Sequence, residues 1–305
     1  MKWLSFLGLL LLAGCGTATP VVTPSPLVAG YPMTVTDGLG RKVTIANQPR
    51  RVVSINHAMT EVLFAIGAGH RVVAVTTIDT YPPDVTKLPN VGGFTSKMLN
   101  LEAVLGHKPD LVIATGGVQE PVIESLTKLG ITVYAQDPKS FDEIVTMIQD
   151  TGRITGCEAK ANEVATDFRN RFNAVKERTA KIAEKDKPKV LYILTDEPLM
   201  TVGPTTFIGQ MITLAGGVSV FADVTQPYPQ INDEAVLLRP ADIILAPDHG
   251  TTGLADRLPR RPGWDKLTAI QHKRIYMLNE DHVSRAGPRL IDGLEAIEKV
   301  LRAGQ

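Results

Sequence analysis

The chain is 305 residues long, enough for two lobes that each bury a core of their own. Its 44% hydrophobic and 21% charged residues are ordinary for a soluble globular protein. Lys+Arg and Asp+Glu balance at 32 each, so no net field draws the protein onto nucleic acid, and that class of partner is excluded.

At the N-terminus, Lys2 precedes an apolar run from Trp3 to Leu12. The run is too short for a membrane span of ~20 residues and suits an export signal. Leu12-Ala13-Gly14-Cys15 then resembles the bacterial lipoprotein cleavage box, in which the cysteine sulfur takes a diacylglycerol. Residues 1–15 are expected to be a signal ending at a lipidated Cys15, and residues 16–32, rich in Thr, Pro, Val and Ala, a tether. The expected product is exported and lipid-anchored to the cell membrane or facing the periplasm. Only Cys157 remains beside Cys15, so no internal disulfide is available.

Residues 33–45 alternate apolar and polar around Asp37-Gly38-Leu39-Gly40, the pattern of a β-hairpin. Residues 51–55 read as a β-branched strand, 60–66 as a helix stopped by Gly67, and 71–76 as a buried strand. A short helix at 101–105, a strand at 110–114, a helix ending at Leu129-Gly130 and a strand at 132–135 follow. Strand and helix alternating at this pace indicate parallel βαβ units. Residues 141–153 and 157–184 carry helical periodicity, closed by Asp186-Lys187-Pro188. At about 1.5 Å per residue the second piece would reach roughly 40 Å, enough to cross a domain. Its stripe of Val164, Phe168, Phe172 and Val175 is too short for sustained coiled-coil heptads. The βαβ rhythm then resumes with strands at 190–194, 243–246 and 275–278 and helices at 207–215 and 289–302.

The two halves echo each other. Leu101-Glu102-Ala103-Val104-Leu105 leads through Pro109-Asp110 into a strand, and Asp233-Glu234-Ala235-Val236-Leu237 leads through Pro240-Ala241-Asp242 into another. The fold class expected is α/β: two Rossmann-like lobes joined by a single long backbone helix, with a ligand cleft between the lobes. The expected division is a first lobe at residues 33–139, linking helices at 140–187 and a second lobe at 188–305.

Open α/β sheets bind ligands in the loops beyond the carboxyl ends of their strands, and clefts between lobes are favoured sites. The expected lining is Asn56-His57-Ala58, residues 77–81 and 92–94, and Thr115-Gly116-Gly117 from the first lobe. From the second come residues 195–197 and 203–206, Tyr228, Asp248-His249 and residues 281–285. Few charges and several aromatics suit a large, mostly uncharged, planar ligand.

Spread in order over both lobes, several motifs are similar to the rigid-hinge (class III) binding proteins of ABC importers, carriers of cobalamin, haem and iron–siderophores. They include Arg51-Val52-Val53-Ser54, Thr80-Tyr81-Pro82-Pro83, Asn100-Leu101-Glu102, Lys108-Pro109-Asp110, Ala215-Gly216-Gly217, Pro227-Tyr228-Pro229-Gln230 and Gly287-Pro288-Arg289. The resemblance implies a monomeric carrier that delivers its cargo to a membrane permease and, through it, to ATPase subunits. It implies that Glu102 and Glu234, one per lobe, dock onto permease arginines, a use of charge that fixes orientation. It also points to cobalamin as cargo, with Tyr81 and Phe94 in the cleft, Tyr228 on the corrin face, and Asp281 and Arg285 toward the amides or the nucleotide loop. Thr115 and His282 stand where that resemblance leads one to expect aromatic residues.

The alternative cargo is haem or an iron–siderophore. His57 and His282 fall in expected cleft loops of opposite lobes, where two imidazoles could bracket a haem iron. Catalysis is not expected. No Gly-x-Ser-x-Gly elbow, phosphate loop or His-Glu-x-x-His helix is present, and neighbouring carboxylates such as Asp196-Glu197 point to opposite sides of a strand. No catalytic cofactor or bound metal of the protein's own is expected.

Overall fold

The computed structural model describes residues 30–249 and 253–303, so the expected signal, Cys15 and residues 16–29 of the tether lie outside the described residues. The hairpin forms as read: β1 (Met33–Thr36) and β2 (Lys42–Ile45) pair antiparallel, with Met33 opposite Ile45. Asp37 shapes the turn. Its buried carboxylate accepts from the backbone N–H of Leu39 and Arg41 and holds the Arg41 guanidinium at 2.6 Å.

The first lobe follows as β3 (Val52–Ser54), α1 (His57–Ala65), β4 (Val72–Ala74), α2 (Leu101–Gly106), β5 (Leu111–Thr115), α3 (Glu120–Lys128) and β6 (Val133–Gln136). Its strands lie in the order β4-β3-β5-β6, all parallel. Two helices come next, α4 (Phe141–Thr155) and α5 (Glu158–Thr179). The second lobe runs through β7 (Lys189–Tyr192), β8 (Thr195–Asp196), β9 (Leu199–Met200), α6 (Phe207–Leu214), β10 (Val218–Ser219) and α7 (Asp233–Leu237). It closes with β11 (Ile243–Pro247), α8 (Leu254–Arg257), α9 (Thr268–Gln271), β12 (Ile275–Leu278), α10 (Glu280–Ser284) and α11 (Leu290–Ala303). Its parallel sheet has the order β10-β7-β11-β12. Counted within each sheet, both read second strand, first, third, fourth. The sequence echo is thus an echo of topology, and the protein is two Rossmann-like lobes joined through a helical spine.

Several elements depart from the sequence reading for local reasons. Helix α1 starts at His57, ahead of the expected residue 60, because the Asn56 side chain accepts from the N–H groups of Ala58 and Met59 and caps the helix there. Helix α5 stops at Thr179 instead of 184, so its 22 residues span roughly 33 Å. Thr179 Oγ1 donates to the Leu214 carbonyl 2.9 Å away, and the Ile182 N–H turns back onto the Thr179 carbonyl. Strands β8, β9 and β10, two residues each, are too short to carry a periodic signal.

The spine is part of one core, not a tether between two. A single cluster of buried side chains runs from Val52, Ile113 and Tyr134 of the first sheet, through Ile144, Ile148, Phe168 and Val175 of α4 and α5, to Tyr192, Leu245 and Leu294 of the second lobe. Phe141 stacks on Phe172 at 4.8 Å and meets the edge of Phe207 at 5.8 Å, joining α4, α5 and α6. Also on α5, Arg171 grips Asp292 and Glu295 of α11 at 2.6 Å each, and Arg178 grips the buried Glu298 at 2.7 Å. Among the described residues no helix is long and apolar enough to cross a membrane.

Helices α4 and α5 approach so closely that a Cβ added at Gly152 would overlap the Ala161 Cβ. Gly152→Ala is therefore expected to cost about 1–3 kcal/mol by overpacking, despite the better helix propensity of alanine. Urea unfolding measures it, and an unchanged or raised midpoint would show that the helices separate without strain.

Candidate ligand cleft

A cavity of about 660 Å³ opens between the lobes, within the usual size of small-molecule sites. It lies where the carboxyl ends of the strands meet, as the topology requires. Strand β3 delivers Asn56, His57 and Ala58, the loop after β4 delivers Phe94, and β5 ends in Thr115. The second lobe answers with Thr205, Thr206 and Phe207 at the start of α6, with Pro227 and Tyr228, and with Ser284 and Ala286 after β12.

A residue not singled out from the sequence holds the first wall together. Gln119 is fully buried, and its amide makes three hydrogen bonds. Its Oε1 accepts from the Thr115 N–H at 2.9 Å, while its Nε2 donates to the carbonyls of Ile55 at 2.6 Å and Phe94 at 2.7 Å. One side chain thus ties together the three loops that carry His57, Phe94 and Thr115. Gln136 at the end of β6 and the loop after it, Asp137 to Lys139, also line the cavity. The post-strand rule already used for β3 and β5 would have found it.

The cavity is close to electroneutral. Its charged lining residues, Asp137 and Lys139, pair with each other at 2.7 Å. The His57 imidazole is kept uncharged: burial, reinforced by the nearby Arg285 guanidinium and opposed by Asp281, pulls its pKa down to about 4. His57 meets the Phe94 ring edge-on at 5.1 Å, and Tyr228 stands half exposed. Among the described residues no group of three or more His, Cys, Asp or Glu side chains is arranged to hold a metal ion.

Of the eight ligand-binding positions expected from sequence, the structure brings His57, Phe94, Thr115 and Tyr228 to the cavity wall. The other four, Tyr81, Asp281, His282 and Arg285, gather beside it in an ion-pair lattice that joins the lobes. Glu61 on α1, 3% exposed, takes Arg285 at 3.2 Å and Arg289 at 2.6 Å. Asp281 takes the same two guanidinium groups at 2.7 and 3.4 Å. Arg285 also donates to the Ile78 carbonyl and Thr80 Oγ1, and Arg289 lies 3.9 Å from the centre of the Tyr81 ring. His282 Nε2 faces Arg289 Nη1 at 3.1 Å, and a guanidinium can only donate, so that nitrogen is the acceptor. One acid from the first lobe and one acid with two arginines from the second thus complete one another. The lobes touch closely here, for a Cβ at Gly287 would lie 3.1 Å from the Ala58 carbonyl oxygen.

The two glutamates expected to dock are exposed and occupy equivalent places. Glu102 and Glu234 each fall in the first turn of a short helix, α2 or α7, capped by Asn100 in one and Asn232 in the other.

Removing Glu61 leaves Arg285 and Arg289 sharing one carboxylate in a buried place. Glu61→Ala is expected to cost about 3–5 kcal/mol in urea unfolding. A loss below about 1 kcal/mol would mean that the lattice does not hold the lobes.

Comparison with known proteins matches this geometry. The family model described as periplasmic binding protein covers residues 52–282. The ABC transporter substrate-binding lipoprotein YvrC of Bacillus subtilis is 33% identical over 299 residues, 95% of this chain and 93% of the relative. The crystal structure of the periplasmic vitamin B12-binding protein BtuF of Vibrio cholerae superimposes with a TM-score of 0.75 at 29% identity, over 85% of this chain and 98% of that one. The periplasmic heme-binding protein RhuT from Roseiflexus sp. RS-1, in apo form, gives a TM-score of 0.75 at 28% identity, over 84% and 99%. This chain belongs to the periplasmic binding protein family: it is a substrate-binding protein of an ABC importer, a partner of a membrane permease, and not an enzyme.

Proposed function

We propose that this protein captures a corrinoid outside the cytoplasm, cobalamin first, and hands it to its ABC permease. The observation that carries the reading is the electroneutral cleft, edged by Phe94 and Tyr228. Cobalamin offers a broad macrocycle rimmed with uncharged amides, which such a cleft can cover without stranding a charge. The likeness to the vitamin B12-binding BtuF supports it. In this assignment His57, Phe94, Thr115 and Tyr228 contact the cargo. Tyr81, Asp281, His282 and Arg285 hold the rim at the spacing the macrocycle needs.

Haem is the second reading, supported by the likeness to RhuT, and an iron–siderophore is the third. Haem carries two carboxylates, and the cationic partners near the cleft are already engaged, Lys139 by Asp137 and both arginines by Glu61 and Asp281. His282 lends its Nε2 to Arg289, so it is poorly placed to bracket an iron with His57. These features favour the corrinoid.

Delivery completes the proposal. A diacylglycerol on Cys15 anchors the exported monomer, residues 16–32 act as its tether, and Glu102 and Glu234 dock one lobe each onto permease arginines. The lobes themselves extend over residues 33–139 and 188–305, with the spine at 140–187.

Calorimetric titration of the full-length protein in mild detergent is expected to show cyanocobalamin binding below about 1 μM, near −8 kcal/mol. Hemin should bind far more weakly. The reverse preference would replace the corrinoid reading with haem. In cells carrying the cognate permease, Glu102→Arg combined with Glu234→Arg is expected to abolish uptake at unchanged ligand affinity. Undiminished uptake would remove the docking role.

A further inference from the structure

The imidazole of His57 has an unusual balance of partners. It lines the cavity, yet its Nδ1 is buried and finds no hydrogen-bond partner among the described residues. A neutral imidazole must carry its proton on one nitrogen or the other. On Nδ1, the proton would be a buried N–H donor with nothing to receive it, an arrangement that folded proteins rarely tolerate. On Nε2, it leaves only an unfilled lone pair on the buried side. The second form costs less. With Nδ1 sealed behind the wall and Phe94 packed edge-on at 5.1 Å, Nε2 is the nitrogen the ring can offer to the cleft.

Resting on the corrinoid reading above, we propose that His57 is a specificity-determining residue. Its Nε2–H donates to a carbonyl oxygen of an amide-bearing cargo, and the same tautomer withholds a lone pair from any metal-centred cargo. Two further observations support it. Metal-ligating histidines almost always donate their other N–H to a carboxylate, carbonyl or water, and the Nδ1 of His57 has no such partner among the described residues. Arg285 from the second lobe, stronger here than Asp281, joins burial in keeping the ring neutral, so it stays a donor without charge through the physiological range. The backbone that carries the ring is held in place, because the adjoining Asn56 caps α1 and the Gln119 amide holds both the Ile55 and Phe94 carbonyls.

The test has one readout without cargo and two with it. Long-range ¹H–¹⁵N correlation spectra of the free full-length protein in mild detergent, with the His57 signals identified by their loss in His57→Gln, should show the Nε2–H form. Cyanocobalamin binding should weaken about tenfold in His57→Leu, the worth of one hydrogen bond. It should stay within about threefold of wild type in His57→Gln, whose side-chain amide keeps an N–H donor. An Nδ1–H tautomer overturns the proposal. So does a leucine variant that binds as tightly as wild type, or a hemin complex whose histidine-ligated spectrum vanishes in His57→Leu. A wild-type protein that ignores cyanocobalamin overturns the corrinoid reading instead. The tautomer then still decides His57: Nε2–H keeps it as a donor to a different acceptor, and Nδ1–H removes it.

Discussion

Everything in the cleft depends on the alternating lattice of Glu61, Arg285, Asp281 and Arg289. Each carboxylate meets both guanidinium groups, with the closest approach at 2.6 Å. Arg285 is 9% exposed and Glu61 3%, so neither could be left alone without stranding a charge in a poorly solvated place. Such a network adds little net stability over well-packed apolar side chains, because desolvation offsets the attraction. Its effect is geometric. Only one relative placement of α1 and the segment after α10 satisfies all four groups, which sets the distance between the wall at Asn56 to Ala58 and the wall at Ser284 and Ala286.

The lobes are fixed at a second place by the spine. Phe141, Phe172 and Phe207 pack into a shared core, and Gln210 on α6 donates across to the Lys139 carbonyl at 3.0 Å. Two lobes pinned at separate places resist the large hinge closure open to lobes joined by a single flexible strap. A cleft of settled width then presents a fixed shape and few polar groups. His57 and the Asp137–Lys139 pair are among those groups.

The cleft and the surfaces assigned to docking are also built on shared segments. In the second lobe, Tyr228 and Glu234 lie on one stretch held by Gly203 N–H to the Pro227 carbonyl at 2.7 Å, Thr201 N–H to Pro229 at 3.1 Å, and Ile231 N–H to Leu199 at 2.9 Å. The stretch ends in the Asn232 cap of α7. In the first lobe, Phe94 and Glu102 share a loop closed by Gly93 N–H to the Met98 carbonyl at 2.9 Å and Asn100 N–H to Val91 at 2.8 Å. That loop ends in the Asn100 cap of α2. An aromatic at the cavity and a carboxylate at the surface therefore sit at the two ends of a hydrogen-bonded strut, once in each lobe.

Local signals in the sequence determined what local physics controls. β-Branched runs became parallel strands, helical periodicity became α4, α5 and α11, and the repeated Glu-Ala-Val-Leu marked two helices that do occupy equivalent places. The rule that ligands lie beyond strand ends placed His57, Phe94, Thr115 and Tyr228 at a common cavity. Tertiary structure alone decided the partnerships. Nothing near Glu61 foretells two arginines 224 and 228 positions away, and nothing near Gln119 foretells the carbonyls of Ile55 and Phe94. Asp281 and Arg285 carried the same charges in either reading, but what they touch was settled only when α1 and α10 were brought together. A side chain's type and spacing record its local preferences. Whether a charge faces a ligand or another charge depends on what the rest of the chain places opposite it.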